Sequence, residues 1–212
     1  MSEQTRRDVM AGAVMTGAAL AGVASLPSSQ ANAQGAGSSM HNDMSYDEVR
    51  KLLNLEPNAT CGYVRVTFVS KQRIAPGGLP APFADGRPTG SALYFMLTPE
   101  EPVKLHRIRN DQFYHYYLGD PIEVLMMLTD GTTQRHIVGP DIRTGQKVQL
   151  FIPGNTFHTA RVIGSRRWFL GGSTEWPGVE PADVELGKVE DLVAKYPGVA
   201  EEIRTWPLPA KG

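Results

Sequence analysis

The sequence predicts an all-β domain built as a sandwich or barrel. Short runs rich in β-branched and aromatic residues follow one another from residue 63 to residue 173, with no helical pattern between them. Turn signals separate these runs, among them Asp130-Gly131, because both central positions of a tight hairpin turn need positive φ. Many short strands at regular spacing are typical of a closed or double-sheet β architecture.

A short helix is expected before the strands. Ser45 and Glu48 have the spacing of a capping box, in which the serine side chain accepts from the Glu48 amide. The helix is predicted to run to about Leu53, with Val49, Leu52 and Leu53 on one face.

The strands themselves follow from alternation. In the first, apolar residues alternate with polar or aromatic ones, so the two sets face opposite sides of the sheet. Strands are predicted at residues 63–69, 91–97, 103–109, 112–118, 122–128, 133–138, 147–152, 157–163 and 167–173. Short closing helices are expected at residues 189–196 and 199–204, split by Pro197-Gly198.

Residues 71–90 form a long connection that is rich in proline and glycine. Structureless loops longer than about 12–15 residues are uncommon in compact domains and are usually functional or disordered. We expect a lid over a pocket mouth, with a plain variable loop as the alternative.

The first 33 residues are predicted to be an export signal. Arg6-Arg7 resembles a twin-arginine motif, a weakly apolar segment follows at residues 11–26, and Ala31-Asn32-Ala33 is a small-residue cleavage site. The alternative is a membrane anchor, but the segment is shorter than the ~20 residues that a bilayer needs. We therefore expect a periplasmic or secreted protein without a membrane anchor after cleavage. Residues 34–44 would be a disordered leader, and residues 45–212 a single domain.

Charge and cysteine content limit the partners and cross-links that we expect for this chain. The formal net charge is −1 and no basic run is present, so nucleic-acid binding is not expected, because its affinity comes mainly from phosphate neutralisation. Cys61, the single cysteine, cannot form an internal disulfide and is either a buried hydrophobe or a free thiol.

Two segments resemble the halves of the cupin signature. In the first, His106, Gln112 and Gly119 stand at signature positions, and in the second Pro153 and His158 do. Ile108 replaces the second histidine of the signature, Gln112 its glutamate and Asn155 its second-half glycine. The resemblance implies a double-stranded β-helix, that is, a jelly-roll barrel, with a few short flanking helices.

The chain further resembles the uncharacterised cupin-5 family. The segments that carry this are LNLEPNATCGYVRVTF, SALYFML, HRIRNDQFYHYYLGDP, IPGNTFHTA and WPGVEPADVELG, in the order of that family's motifs. Where the family has H-P-E-G, this chain has Asn58, Ala59, Thr60 and Cys61, which removes an imidazole and a carboxylate.

The resemblance places His106 and His158 side by side, pointing into the barrel. With the amide oxygen of Gln112 they would form a divalent metal site with open positions. The alternative is two pocket histidines that hydrogen-bond a ligand or each other's neighbours, and Ile108 and the neutral Gln112 favour it. No cofactor is therefore expected, with a divalent metal as the alternative.

Further candidates surround the same pocket if the resemblance holds. The catalytic candidates are His106, His158, Tyr116 and His115; the ligand-binding candidates are Tyr63, Arg65, Tyr94, Gln112, Tyr114 and Phe157. Strand alternation points His115 to the opposite face from Gln112, unless a bulge reverses it. Ordinary barrel packing is the alternative for the tyrosines.

Three functions remain open. The first is a metal-independent isomerase, epimerase or cyclase, in which a pocket histidine moves a proton and a tyrosine assists. The second is a non-catalytic binding protein for a small molecule, and the third is a metal-dependent oxygenase. A homodimer is expected, because exposed strand edges need covering and two-fold pairing is the commonest assembly.

Overall fold

The computed structural model describes residues 44–165 and 167–208, which contain mostly β-structure. The predicted export signal, and all of the predicted leader except Met44, lie outside the described residues. The strands are β1 (Glu56–Pro57), β2 (Tyr63–Val69), β3 (Arg73–Ile74), β4 (Arg87–Pro88), β5 (Ser91–Leu97), β6 (Val103–Ile108), β7 (Asp111–Gly119), β8 (Ile122–Met127), β9 (Thr133–Val138), β10 (Gln149–Ile152), β11 (Phe157–Val162), β12 (Phe169–Trp176) and β13 (Val184–Leu186). The α-helices are α1 (Tyr46–Leu52), α2 (Val189–Lys195) and α3 (Ala200–Thr205), and short 3₁₀ turns lie at Ile142–Thr144, Pro181–Asp183 and Pro197–Val199.

Two antiparallel sheets form the fold. One has the strand order β1-β2-β5-β12-β7-β10, and the other has the order β13-β6-β11-β8-β9. The predicted all-β jelly-roll fold with a few short helices is confirmed. None of the helices in the described part of the chain is long and apolar enough to cross a bilayer.

The main core lies between the two sheets. In β8 the side chains of Ile122, Val124 and Met126 belong to this core, whereas Leu125 and Met127 belong to a second cluster with the C-terminal helices. β8 is therefore buried on both faces, which explains why its sequence is apolar almost throughout rather than alternating.

Helix α1 covers the outer face of the six-stranded sheet. Ser45 Oγ accepts from the Glu48 amide at 3.2 Å, as the capping pattern predicted. Val49 packs with Met96 and Leu170, and Tyr63 and Tyr94 lie against the same cluster. Since side chains alternate along a strand, Leu93, Phe95 and Leu97 of β5 face the interior.

The connection at residues 71–90 is not structureless. Its ends pair as the β3-β4 hairpin, and Arg87 is buried at 1% exposure. The Arg87 guanidinium donates to both Asp183 oxygens, at 3.0 and 2.9 Å, and also contacts Asp85. The loop is thereby fixed to the segment that enters β13.

Candidate functional site

A cavity of about 410 Å³ lies between the sheets. Its apolar wall includes aliphatic side chains from β2, β5 and β6 together with the ring of Phe95. Its polar lining consists of Asn58, Thr60, Cys61, His106, Gln112, Tyr114, Ser173, Glu175 and Glu180. A mostly apolar pocket with a few convergent polar groups is the usual form of a small-molecule site.

His106 and His158 stand opposite each other on β6 and β11. Their ring centroids are 4.3 Å apart, so the predicted adjacency of the two imidazoles is confirmed. His106 lines the cavity, whereas His158 lies behind it and is fully buried.

The hydrogen bonds fix the tautomer of both rings. Nδ1 of His106 lies 2.8 Å from the Lys104 carbonyl, and Nδ1 of His158 lies 3.2 Å from the Thr156 carbonyl. A carbonyl only accepts, so both Nδ1 atoms carry the proton and both Nε2 atoms are acceptors. Burial lowers the pKa of His106 to about 4, and burial followed by the proximity of His106 lowers the pKa of His158.

The two Nε2 atoms differ in their hydrogen bonding. Nε2 of His158 accepts from the Tyr114 hydroxyl at 2.8 Å. For Nε2 of His106, residues 44–165 and 167–208 provide no hydrogen-bond partner, and the ring lines the cavity. His106 therefore offers a free lone pair to a bound molecule.

Tyr114 connects His158 to the cavity wall. Its ring packs on Phe95 at 4.7 Å, and both rings line the cavity. Burial raises the pKa of its hydroxyl, and burial likewise raises the pKa of the neighbouring Cys61 thiol to about 11. Both groups stay protonated at neutral pH, so Cys61 is not a thiolate nucleophile.

Glu175 forms a second polar centre on β12. It stands in register between Ser91 on β5 and Gln112 on β7. Its carboxyl oxygens accept from Ser91 Oγ at 2.5 Å and from Ser173 Oγ at 2.6 Å. Burial raises the pKa of Glu175, and the two serine hydrogen bonds lower it in part.

Sequence reasoning missed this centre. Strand β12 was predicted to end at residue 173, so Glu175 fell outside the sheet, but the strand continues to Trp176. Alternation from Ser173 would have placed Glu175 on the same face, because side chains two apart point the same way. Asn58, Thr60 and Cys61, which replace the H-P-E-G residues of the cupin-5 family, also line the cavity.

Three expected wall residues lie on the wrong side of their strands. The prediction that Tyr63, Arg65 and Tyr94 surround the pocket is not met, since their alternate neighbours Val64, Val66 and Leu93 line it instead. Tyr63 packs against Tyr46 of α1, Arg65 donates to the Leu53 carbonyl, and Tyr94 packs against Tyr117. The apolar set of β2 faces inward because helix α1 covers the other face.

Of the remaining candidates, some line the cavity and others lie outside it. Gln112 and Tyr114 line the cavity as expected. Tyr116 instead donates to the Gly119 carbonyl and packs on Phe169 in the core. His115 lies on the outer face beside Thr174 and Gln149, as strand alternation indicated. Phe157 packs with the helical cluster and under Arg107.

The donor set does not fit a metal ion. Within the described ranges, no three His, Cys, Asp or Glu side chains are arranged to hold one. His158 directs Nε2 to Tyr114 rather than to the cavity, and Ile108 provides no donor where the cupin signature has its second histidine. The tentative ligand set of His106, His158 and Gln112 therefore presents one imidazole and one neutral amide to the cavity.

The expected lid is only indirectly part of the site. No residue of the connection at 71–90 lines the cavity. Arg73 and Arg87 nevertheless pair with Glu180, at 2.8 and 3.8 Å, and Glu180 does line it. The loop thus supports the cavity wall from outside.

Comparison with known proteins agrees with this architecture. The family model described as Cupin superfamily (DUF985) matches residues 47–187. A hypothetical protein from Leishmania major is similar at a TM-score of 0.71 and 23% identity, over 78% of this chain and 99% of its own. A protein from Shewanella oneidensis is similar at a TM-score of 0.67 and 23% identity, over 79% of this chain and 99% of its own. No curated protein matches the chain. The two structural likenesses show the fold alone.

Proposed function

We propose that this chain, which belongs to the cupin superfamily in the family described as DUF985, binds a small organic molecule between its sheets and moves a proton from one position of that molecule to another without a metal. The reaction class is an isomerisation, epimerisation or cyclisation. The observation that carries the proposal is the free Nε2 of His106, which lines the cavity while Nδ1 is fixed on the Lys104 carbonyl.

His106 is the proton acceptor. In the reaction its Nε2 takes a proton from a carbon of the bound molecule, whose bonding electrons stay on the molecule. The imidazolium returns the proton on the same side to a neighbouring carbon, or to the other face of the first carbon once the intermediate has turned over in the cavity. Because the pKa of His106 is lowered to about 4 by burial, it is a weak base. It therefore suits a carbon acid that is already activated, such as one beside a carbonyl.

Two other residues assist His106. Tyr114 lines the cavity and donates its hydroxyl hydrogen to Nε2 of His158, so we assign the assisting role to Tyr114 in place of Tyr116. Glu175 lies in the same cavity, and a carboxylate there would stabilise the transient imidazolium, since charges interact more strongly in a buried site than in water.

A non-catalytic binding protein is the second candidate. It is favoured by the internal pairing of the polar lining: Tyr114 is held by His158, and Glu175 is held by Ser91 and Ser173. Polar groups that hydrogen-bond one another leave no reactive atom free for a bound molecule, and Nε2 of His106 is the exception.

A deuterium experiment separates the two candidates. The molecule that co-purifies with the protein is identified by mass spectrometry and incubated with fresh protein in heavy water. We expect carbon-bound deuterium to appear in it with the wild type and with His136→Gln, but not with His106→Gln. His136 is the matched control, because it lies on β9 and does not line the cavity. Binding without any exchange would reject proton transfer and leave the binding protein.

A further inference from the structure

The charged groups that line the cavity are all acidic. Glu175 and Glu180 line it, and no lysine or arginine of residues 44–165 and 167–208 does. The nearest cations that contact this lining, Arg73 and Arg87, reach Glu180 from outside. A bound anion would therefore meet negative charge and no compensating partner.

Glu175 is the inner of the two carboxyl groups and is 2% exposed. None of the ion pairs within the described part of the chain includes it. Among the described residues, its oxygens accept hydrogen bonds only from the hydroxyls of Ser91 and Ser173. Buried carboxylates are normally paired with a cation, so this one lacks the partner that its charged form requires.

The surrounding lining also suits a cation. The rings of Phe95 and Tyr114 lie on the cavity wall, and ring faces attract positive charge. Nε2 of His106 is an acceptor for an N–H donor. The rest of the wall is aliphatic and would contact the hydrocarbon part of the molecule.

We propose that the ligand of this cavity is a small organic cation, an amine with an apolar body, whose ammonium group pairs with Glu175. The inference deepens the proposed function and depends only on its first part, that the cavity binds a small molecule. It assigns Glu175 as the residue that selects the ligand by charge. An ammonium would supply the missing cation and restore the ionised carboxylate inside the barrel.

Three probes of one shape test the charge preference: benzylamine, benzyl alcohol and benzoate. Their affinities for the purified wild-type protein are measured by isothermal titration calorimetry or ligand-observed NMR. We expect benzylamine to bind about tenfold more tightly than benzyl alcohol, since a hydrogen-bonded charge pair is worth roughly twice a neutral hydrogen bond. Benzoate should not bind measurably.

Glu175→Gln tests the residue, because the amide keeps the shape and removes the charge. In this variant the affinity for benzylamine should fall to about that of benzyl alcohol, whose own affinity should be unchanged, since only the charge-assisted part is lost. Glu185→Gln is the matched control: Glu185 lies on the exposed side of β13, pairs with Arg107, and should leave all three affinities as in the wild type.

Three outcomes would overturn the inference. They are equal binding of the amine and the alcohol to the wild type, tighter binding of benzoate than of benzylamine, and failure of all three probes to bind. If Glu175→Gln did not fold, the wild-type comparison would still decide. Equal binding of amine and alcohol would leave the proton-transfer proposal intact, because that proposal rests on His106 and the deuterium experiment.

Discussion

His106 and Glu175 respond to burial in opposite senses, because burial disfavours the charged form of each. For His106 the folded pKa is about 4, below the ordinary value of 6.5. The unfolded chain binds more protons between these values, so folding stability is full above about pH 6.5 and falls as the pH drops toward 4. For Glu175 the pKa is raised above 4.5, so its contribution is full below that pH and falls as the pH rises.

The histidine contribution gives a direct prediction. Between about pH 6.5 and pH 4 the wild type should lose up to about 3 kcal/mol of unfolding free energy through His106 alone. His106→Gln should remove that part of the pH dependence, measured by urea denaturation at several pH values. The decline will not vanish, because the pKa of His158 is also lowered.

His136→Gln provides the comparison. His136 is only partly buried, and although burial also lowers its pKa, its variant should retain most of the wild-type pH dependence. If His106→Gln and the wild type lost stability in parallel, His106 would not be neutral in the folded protein.

At the scale of elements, the connection at 71–90 and the segment before β13 are joined by the buried pair of Arg87 and Asp183. Arg87→Met removes the guanidinium and leaves a carboxylate that is 0% exposed. We expect a loss of about 3–5 kcal/mol in unfolding free energy, the usual cost of breaking a buried ion pair from one side. Chemical denaturation measures it.

Arg107→Met is the matched control for that variant. Arg107 pairs with Glu185 at 2.6 Å, but the two side chains are 32% and 53% exposed. An exposed pair contributes at most about 1 kcal/mol. Equal losses from the two variants would mean that the Arg87 pair does not anchor the loop.

The strands show how much of the fold can be predicted from a single sequence. Alternation in β2 separated Val64 and Val66 from Tyr63 and Arg65 correctly, but it does not state which set faces the barrel interior. That depends on helix α1, whose packing against Met96 and Leu170 is a tertiary contact. Tyr63 and Tyr94 were expected in the pocket because aromatic walls suit ligands, but Val64, Val66 and Leu93 line it in their place.

The candidate site was predictable where two signals agreed. His106 and Gln112 stand at signature positions and Tyr114 shares the strand face of Gln112, and the structure brings all three to the cavity. Glu175 had no such support, because the predicted strand stopped before it. The 3₁₀ turn at Pro181–Asp183 and the short strand β13 carry too few residues to show a period, yet they close one side of the cavity.

At the scale of the whole molecule, the export signal remains a prediction. Arg6-Arg7 and the site at Ala33 predict a mature protein that begins near Gln34. N-terminal sequencing of protein recovered from the periplasm or medium tests it, and replacing both arginines by lysine should block export. An uncleaved cytoplasmic product in the wild type would contradict it.

The homodimer is the second prediction at this scale. The outer face of the six-stranded sheet exposes Phe151 at 44% and Trp176 at 50%, and both pack on Phe113. Exposed apolar patches of this kind often mark protein interfaces. We expect light scattering to give twice the chain mass, and Phe151→Glu to shift the mass toward the monomer.

Ile142→Glu is the control, because Ile142 is more exposed, at 67%, but lies on a 3₁₀ turn away from that sheet face. A monomer at all micromolar concentrations would reject the dimer. An equal effect of both variants would place the interface elsewhere.

The position of Glu175 within its sheet has a thermodynamic consequence. Strand β12 is paired on both sides, with β5 and with β7, and the Glu175 carboxyl is held by hydroxyls from its own strand and from β5. Its geometry is set before any molecule enters, so little conformational entropy is lost there on binding. A site that is preorganised in this way binds rigid ligands best, because they too lose little conformational entropy. A conformationally locked amine should therefore bind more tightly than its flexible open-chain analogue.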